Sequence, residues 1–257
     1  MTLTGYLSIQ KDRTVLKTLN KWIFYTALAT LIPAFMFRNS FPEPAERQYP
    51  PLGTPAQSRS SEPGFQATYG SVKYSVEPRY DYELTGVVVS RAFHNAKFGL
   101  HRKWNDHLNV ADLCVVWGDN AGTLDLDAFD FWNGQFTCNV STNSDRAWKS
   151  FKPDELSNNH LLSDDDAIRE KIQAVKIGDL IHLRGWLSRY ANDQGFSRDT
   201  STTRKDRGNG ACETIFIRRF EVLDSMENGW RTAYSVSLLA TMGTALIWLV
   251  AVARGRW

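Results

Sequence analysis

Two uncharged apolar runs, residues 22–37 and 232–253, lie near opposite ends of the chain, each with its basic residues on the terminal side. Lys11, Arg13, Lys17 and Lys21 precede the first, and Arg254 and Arg256 follow the second. Lysine and arginine beside a membrane span stay on the cytoplasmic side. The pattern therefore predicts an integral protein of a plasma or inner membrane, with residues 1–21 and 254–257 cytoplasmic and residues 38–231 outside. The second run has 22 residues, which as a helix reaches about 33 Å, enough to cross the hydrocarbon core. Trp230 and Trp257 bracket it at interfacial depth. The first run has 16 residues and contains Pro33; it spans if Leu19 and Asn20 join it and Lys21 snorkels. No small-x-small cleavage site follows it, which favours an uncleaved anchor over a signal peptide.

Ala233, Ser237, Thr241 and Ala245 recur every four residues along the second run. Such a stripe of small side chains lets another helix approach closely in lipid. The helix it meets is the first one of the same chain or that of another copy.

The whole-chain charge of +2 hides its distribution. Residues 78–225 carry 19 Lys and Arg against 22 Asp and Glu, a net of −3, so the basic excess belongs to the membrane flanks. A nucleic-acid binder concentrates positive charge on the domain itself, and this composition argues against one. Seven of the nine prolines fall between residues 39 and 78, which predicts an extended linker over 38–78 rather than a packed segment. Three cysteines, Cys114, Cys138 and Cys212, permit one disulfide in an oxidising compartment and leave one thiol, with the pairing open.

Between the linker and the second run, residues 84–91, 112–118 and 130–140 read as strands. A helix follows, with Ser163 as N-cap, Asp164, Asp165 and Asp166 in its first turn, and Ile168, Ile172 and Val175 on its apolar face. Strands at 179–190 and 212–223 close the set, the former alternating strictly. Strand, strand, strand, helix, strand, strand resembles the OB-fold, a five-stranded Greek-key barrel. The expected class is thus all-β with one helix, an OB-fold-like domain over residues 79–225 set between two transmembrane helices.

That resemblance implies a ligand site at the loops after the first and fourth strands. They run over residues 92–111 and 191–211, and residues 91–111 carry a local charge of +3. His101, Arg102, Lys103, Trp104, Arg198, Arg204 and Arg207 are the candidate ligand-binding residues, guanidinium forks and an indole suited to an anionic, oxygen-rich group. His94, His101 and His107 are spaced seven and six apart, which matches no zinc pattern, and the acidic stretch 118–130 lacks EF-hand spacing. No metal and no cofactor is implied. Cys212 with His160 or His182 is the alternative catalytic set, a Cys/His-dependent envelope hydrolase or transferase, but no nucleophile motif surrounds it. The leading expectation is a non-enzymatic, doubly anchored extracytoplasmic (periplasmic) binding or assembly protein. Its partners would be the membrane and another envelope protein, an anionic envelope molecule or a second copy. A nucleic-acid-binding OB domain is the remaining alternative.

Overall fold

The computed structural model describes residues 3–47, 49–94, 99–203 and 212–255, with side chains of the N-terminal helix described from residue 14. The chain divides into two units, Met1–Ser40 with Glu227–Trp257, and Phe41–Met226.

The first unit is a pair of helices, Leu3–Phe37 and Gly229–Ala253. Among the described residues, Gly229–Ala253 alone is long and apolar enough to cross a membrane by length and composition. The span expected at residues 22–37 is instead the second half of a 35-residue helix. Its apolar stretch must recruit Asn20 and Lys21, or Arg38, to approach the roughly 20 residues a bilayer core asks for. The two helices pack through small side chains. Ala27, Ala34, Ser237 and Thr244 are buried, and Ala233, Thr241 and Ala245 are half-buried. Polar contacts fix the register: Asn20 Nδ2 donates to Thr244 O at 3.2 Å. Asn228, the N-cap of the C-terminal helix, accepts from Trp230 N at 2.8 Å and donates to Phe37 O and Ser40 O at 3.1 and 2.9 Å.

The second unit is mostly β-sheet. Its strands are β1 (Ala56–Arg59), β2 (Phe65–Tyr69), β3 (Val72–Phe93), β4 (Asn109–Val116), β5 (Asp130–Asn133), β6 (Cys138–Ser141), β7 (Leu156–Leu162), β8 (Asp179–Asn192), β9 (Ser197–Arg198) and β10 (Glu213–Ser225). The main sheet runs β1-β3-β4-β7-β10-β8-β9, with β2 on β3 and a further pairing of β3 with β8. β5 and β6 form a separate hairpin. β7 and β10 are parallel; the other pairs are antiparallel.

The structure departs from the sequence expectations at three places. The strand expected at residues 130–140 is not in the main sheet: those residues make the separate β5–β6 hairpin, and β7 takes the place between β4 and β10. β7 escapes a search for apolar alternation because Asn158, Asn159 and His160 occupy its buried positions. The proline-rich segment is no free linker: β1 and β2 pair with β3, Leu52 is buried in the core, and Arg47 donates to Ala121 O and Leu124 O. Pro42, Pro44, Pro50, Pro51 and Pro55 precede β1 and Pro63 lies between β1 and β2, while Pro78 falls where the β3–β8 register shifts, a bulge that needs no ladder N–H. The N-cap of the helix Asp166–Ala174 is Asp165, whose Oδ1 accepts from Ala167 N at 2.8 Å and Ile168 N at 3.1 Å. Ser163 Oγ accepts from Asp165 N one turn earlier.

The core gathers Leu84, Val87, Leu113, Val115, Leu161, Ile172, Leu183, Leu187, Ile215, Ile217 and Phe220. Gly185 lets β8 and β10 approach there, since a Cβ would lie 2.1 Å from Phe216 O. Gly185→Ala should therefore lower the urea midpoint of the isolated sheet unit or full chain, at a cost of about 1–3 kcal/mol from overpacking. Gly53→Ala, with open space around it, should change stability by less than about 0.5 kcal/mol.

Candidate functional site

Three segments of the sheet unit converge on one open depression of about 650 Å³: residues 103–105 from the β3–β4 connection, 135–136 from the β5–β6 turn, and 194–198 leading into β9. Aromatic contacts hold them together. The Trp104 indole stacks on Phe136 and on Phe196, each at 5.6 Å between centroids. Asn192 at the end of β8 acts as a clamp: Nδ2 donates to Trp104 O at 2.8 Å and Asn105 O at 3.3 Å, while Oδ1 accepts from Gln194 N and Phe196 N.

Among the described residues only Asn105 (φ 50°) and Phe136 (φ 61°) are non-glycine residues in the left-handed region. Both line this depression. Such conformations cost energy and persist where surrounding contacts over-determine them, a recurrent feature of functional sites. Here Tyr74 OH donates to Asn105 O at 2.6 Å, and the Cys212 thiol donates to Phe136 O at 3.0 Å.

A polar network stands behind the depression. Arg198 Cζ lies 4.1 Å from the Phe136 ring centroid, and its Nη1 lies 2.9 Å from His160 Nε2. Arginine only donates, so Nε2 must accept, and His160 carries its proton on Nδ1. That nitrogen faces Asp112 Oδ1 at 2.5 Å. The same oxygen accepts from His94 Nε2 at 2.8 Å and Asn109 Nδ2 at 3.4 Å. The His94 and His101 rings stack at 3.8 Å. His101 Nδ1 donates to Asp106 Oδ2 at 2.9 Å, and Tyr190 OH donates to Asp106 Oδ1 at 2.7 Å. Burial by itself would raise the pKa of Asp112, but interactions with His160 and then His94 outweigh it and hold the carboxyl well below the usual range. It remains an anion. Burial pushes the Tyr190 phenol well above its ordinary value, reinforced by Asp106, so Tyr190 remains a donor.

Of the candidate binding residues, His101, Lys103, Trp104 and Arg198 come together here. Lys103, Trp104 and Arg198 line the depression, and His101 is buried behind it. Arg102 is exposed on the short helix Gly99–Lys103. Arg204 and Arg207 lie outside the described residues. Phe136, Asp106 and Asp112 carry no sequence signal as site residues: a lone aromatic in a turn, an acid in a connection and an acid within β4 gain meaning only once the fold joins them. Among the described residues no group of three His, Cys, Asp or Glu side chains is arranged to hold a metal ion.

Cys114 and Cys138 form the disulfide, which ties the β5–β6 hairpin to β4. Cys212 is free and buried, and burial raises its thiol pKa to about 11. His182 instead contacts Thr85 and Glu83, and no hydrogen bond among the described residues joins Cys212 to His160 or His182. A thiol so held is the reverse of an activated nucleophile.

Two measurements check this electrostatic picture. Iodoacetamide should label native Cys212 slowly at pH 8, with a rate that climbs toward about pH 11; rapid labelling at neutral pH contradicts it. Asp112→Ala leaves buried imidazole donors unpaired and should cost about 3–5 kcal/mol at pH 7. Because the folded carboxyl titrates below its unfolded value, the wild-type advantage should be constant above about pH 4 and shrink as the pH falls further. Urea titrations of both proteins across pH read this directly.

Neither a family model, nor a curated protein, nor a solved structure matches the chain.

Proposed function

We propose that the chain is a membrane-anchored, non-enzymatic binding protein whose extracytoplasmic, OB-like domain receives an anionic group of an envelope protein or envelope molecule at the Arg198 depression. The order β3, β4, β7, helix, β8, β10, with β7 parallel to β10 and β8 returning to β3, supports the OB-like reading, and the depression sits on the two connections such a fold uses for ligands. The apolar helix Gly229–Ala253 and the terminal basic residues support anchoring with both ends inside. In this reading the N-terminal helix joins it as a second span, with Lys21 snorkelling. The Cys114–Cys138 disulfide suits an oxidising compartment.

One observation carries the ligand assignment. Arg198 and Lys103 line the depression, and no carboxylate among the described residues pairs with either. Both cations are thus available to an incoming anion. Calorimetry with inorganic sulfate tests the assignment on the detergent-solubilised protein. Arg198→Ala should weaken sulfate binding about 10- to 100-fold, the worth of one shielded charge-assisted contact, with the fold retained by circular dichroism and the thermal midpoint lowered because His160 Nε2 loses its donor. Sulfate affinity in Arg198→Ala equal to that of the wild-type protein overturns it. Topology is tested by reporter fusions: those after Pro50 and Thr203 should report outside and one after Trp257 inside, and an internal signal at Thr203 contradicts the extracytoplasmic reading.

A further inference from the structure

The Arg198 guanidinium is held on a neutral imidazole acceptor, His160 Nε2, at 2.9 Å. Both bonds have an ionised donor, but an oxyanion adds a full charge–charge attraction to the guanidinium that a neutral imidazole lacks. An anion entering the depression therefore competes for the same donor. His160 is 1% exposed, and among the described residues Nε2 has no other hydrogen-bond donor. A buried nitrogen left with an unused lone pair is costly.

We propose that anion binding at this depression is proton-coupled: the ligand draws Arg198 off His160, and His160 takes up a proton on Nε2. This rests on the reading of the depression as an anion site and adds its regulation. The proton comes from hydronium or a buffer acid in solvent, whose bond to hydrogen breaks as Nε2–H forms and which leaves as water or the buffer base; within the protein only hydrogen bonds are exchanged. The resulting imidazolium lies between Asp112 on one side and the bound anion on the other, opposite charges that both stabilise it.

The groups facing or flanking His160 come from every neighbouring element. Asp112 on β4 accepts from Nδ1, and His94 at the end of β3 reaches it through the same carboxylate oxygen. Arg198 on β9 faces Nε2. The Phe136 ring stands edge-on at 6.1 Å. On the β10 side the register partner is Thr214, flanked by Glu213 and by Cys212, whose thiol remains protonated in the neutral range. Asp112 is the anion that prepares the site for the added charge. Its companion His94 stacks on His101.

The geometry allows one competing arrangement: Arg198 has five N–H donors, and an anion seated on the others leaves Nη1 on His160 with no proton taken up. Sulfate calorimetry on the full chain at pH 6.5, in two buffers of different ionisation heat (MES and Bis-Tris), separates the two. Sulfate itself does not titrate there. The expected result is close to one proton taken up per sulfate, with affinity rising by up to tenfold for each pH unit lowered, and loss of that uptake in His160→Gln. Zero uptake in the wild-type protein, or uptake that persists in His160→Gln, overturns the proposal. Should His160→Gln fail to fold, His94→Gln decides: uptake that persists supports His160 as the acceptor, and uptake that vanishes contradicts it. Absent sulfate binding, or binding indifferent to Arg198→Ala, instead defeats the anion-site reading beneath it.

Discussion

A single buried carboxylate organises the working end of the sheet unit. Asp112 Oδ1 accepts from His160, His94 and Asn109, and so ties the middle of β7, the end of β3 and the start of β4 to one point. An isolated carboxylate in that position is prohibitively costly; surrounded by donors it stays ionised and dictates their orientation. It fixes the proton of His160 on Nδ1, which leaves Nε2 as the acceptor that holds Arg198 against Phe136. The position of the cation at the surface thus follows from an anion two groups deeper.

The fold makes that line of groups possible through unequal strand lengths. β3 spans 22 residues and β8 spans 14, so both continue past the main core. Their far ends, with the Tyr74 and Tyr190 rings tilted against each other at 6.3 Å between centroids, form a second, smaller apolar cluster with Leu108, Leu162 and Phe216. The second Asp–His pair, Asp106 with His101, lies against this cluster through Tyr190. Strain at Asn105 and Phe136 is carried by hydrogen bonds from Tyr74 and Cys212. In this light the buried Cys212 is a donor that positions Phe136, consistent with the raised pKa of its thiol.

Much of the fold was legible where periodicity and burial coincide. The strands read at 84–91, 112–118, 179–190 and 212–223 fall on β3, β4, β8 and β10, because each alternates or is continuously apolar. The helix was legible from its acidic first turn and its Ile172 and Val175 face. β7 was not, since Asn158, Asn159 and His160 look like a loop until their buried hydrogen bonds are seen; Asn159 Nδ2, for example, donates to Leu113 O and Ser157 Oγ. The segment 38–78 was misread because proline density hides two short strands and Leu52. Within the site, basic residues on loops were visible as charge, whereas Asp112 and Asp106 owe their meaning to partners 48 and 84 residues away in the chain. The pairing of Cys114 with Cys138 likewise depended on the β5–β6 hairpin lying over β4.

The site depends on the protonation pattern of one imidazole, His160. Nitrogen-15 spectroscopy of the histidine rings in the ligand-free protein at pH 7.5 reads it directly. The geometry predicts that His160 is neutral with its proton on Nδ1 and a bare Nε2, and that Arg198→Ala shifts the Nε2 resonance while Nδ1 stays bonded to Asp112. A His160 found with its proton on Nε2 contradicts the arrangement of Asp112, His160 and Arg198 on which the site is built.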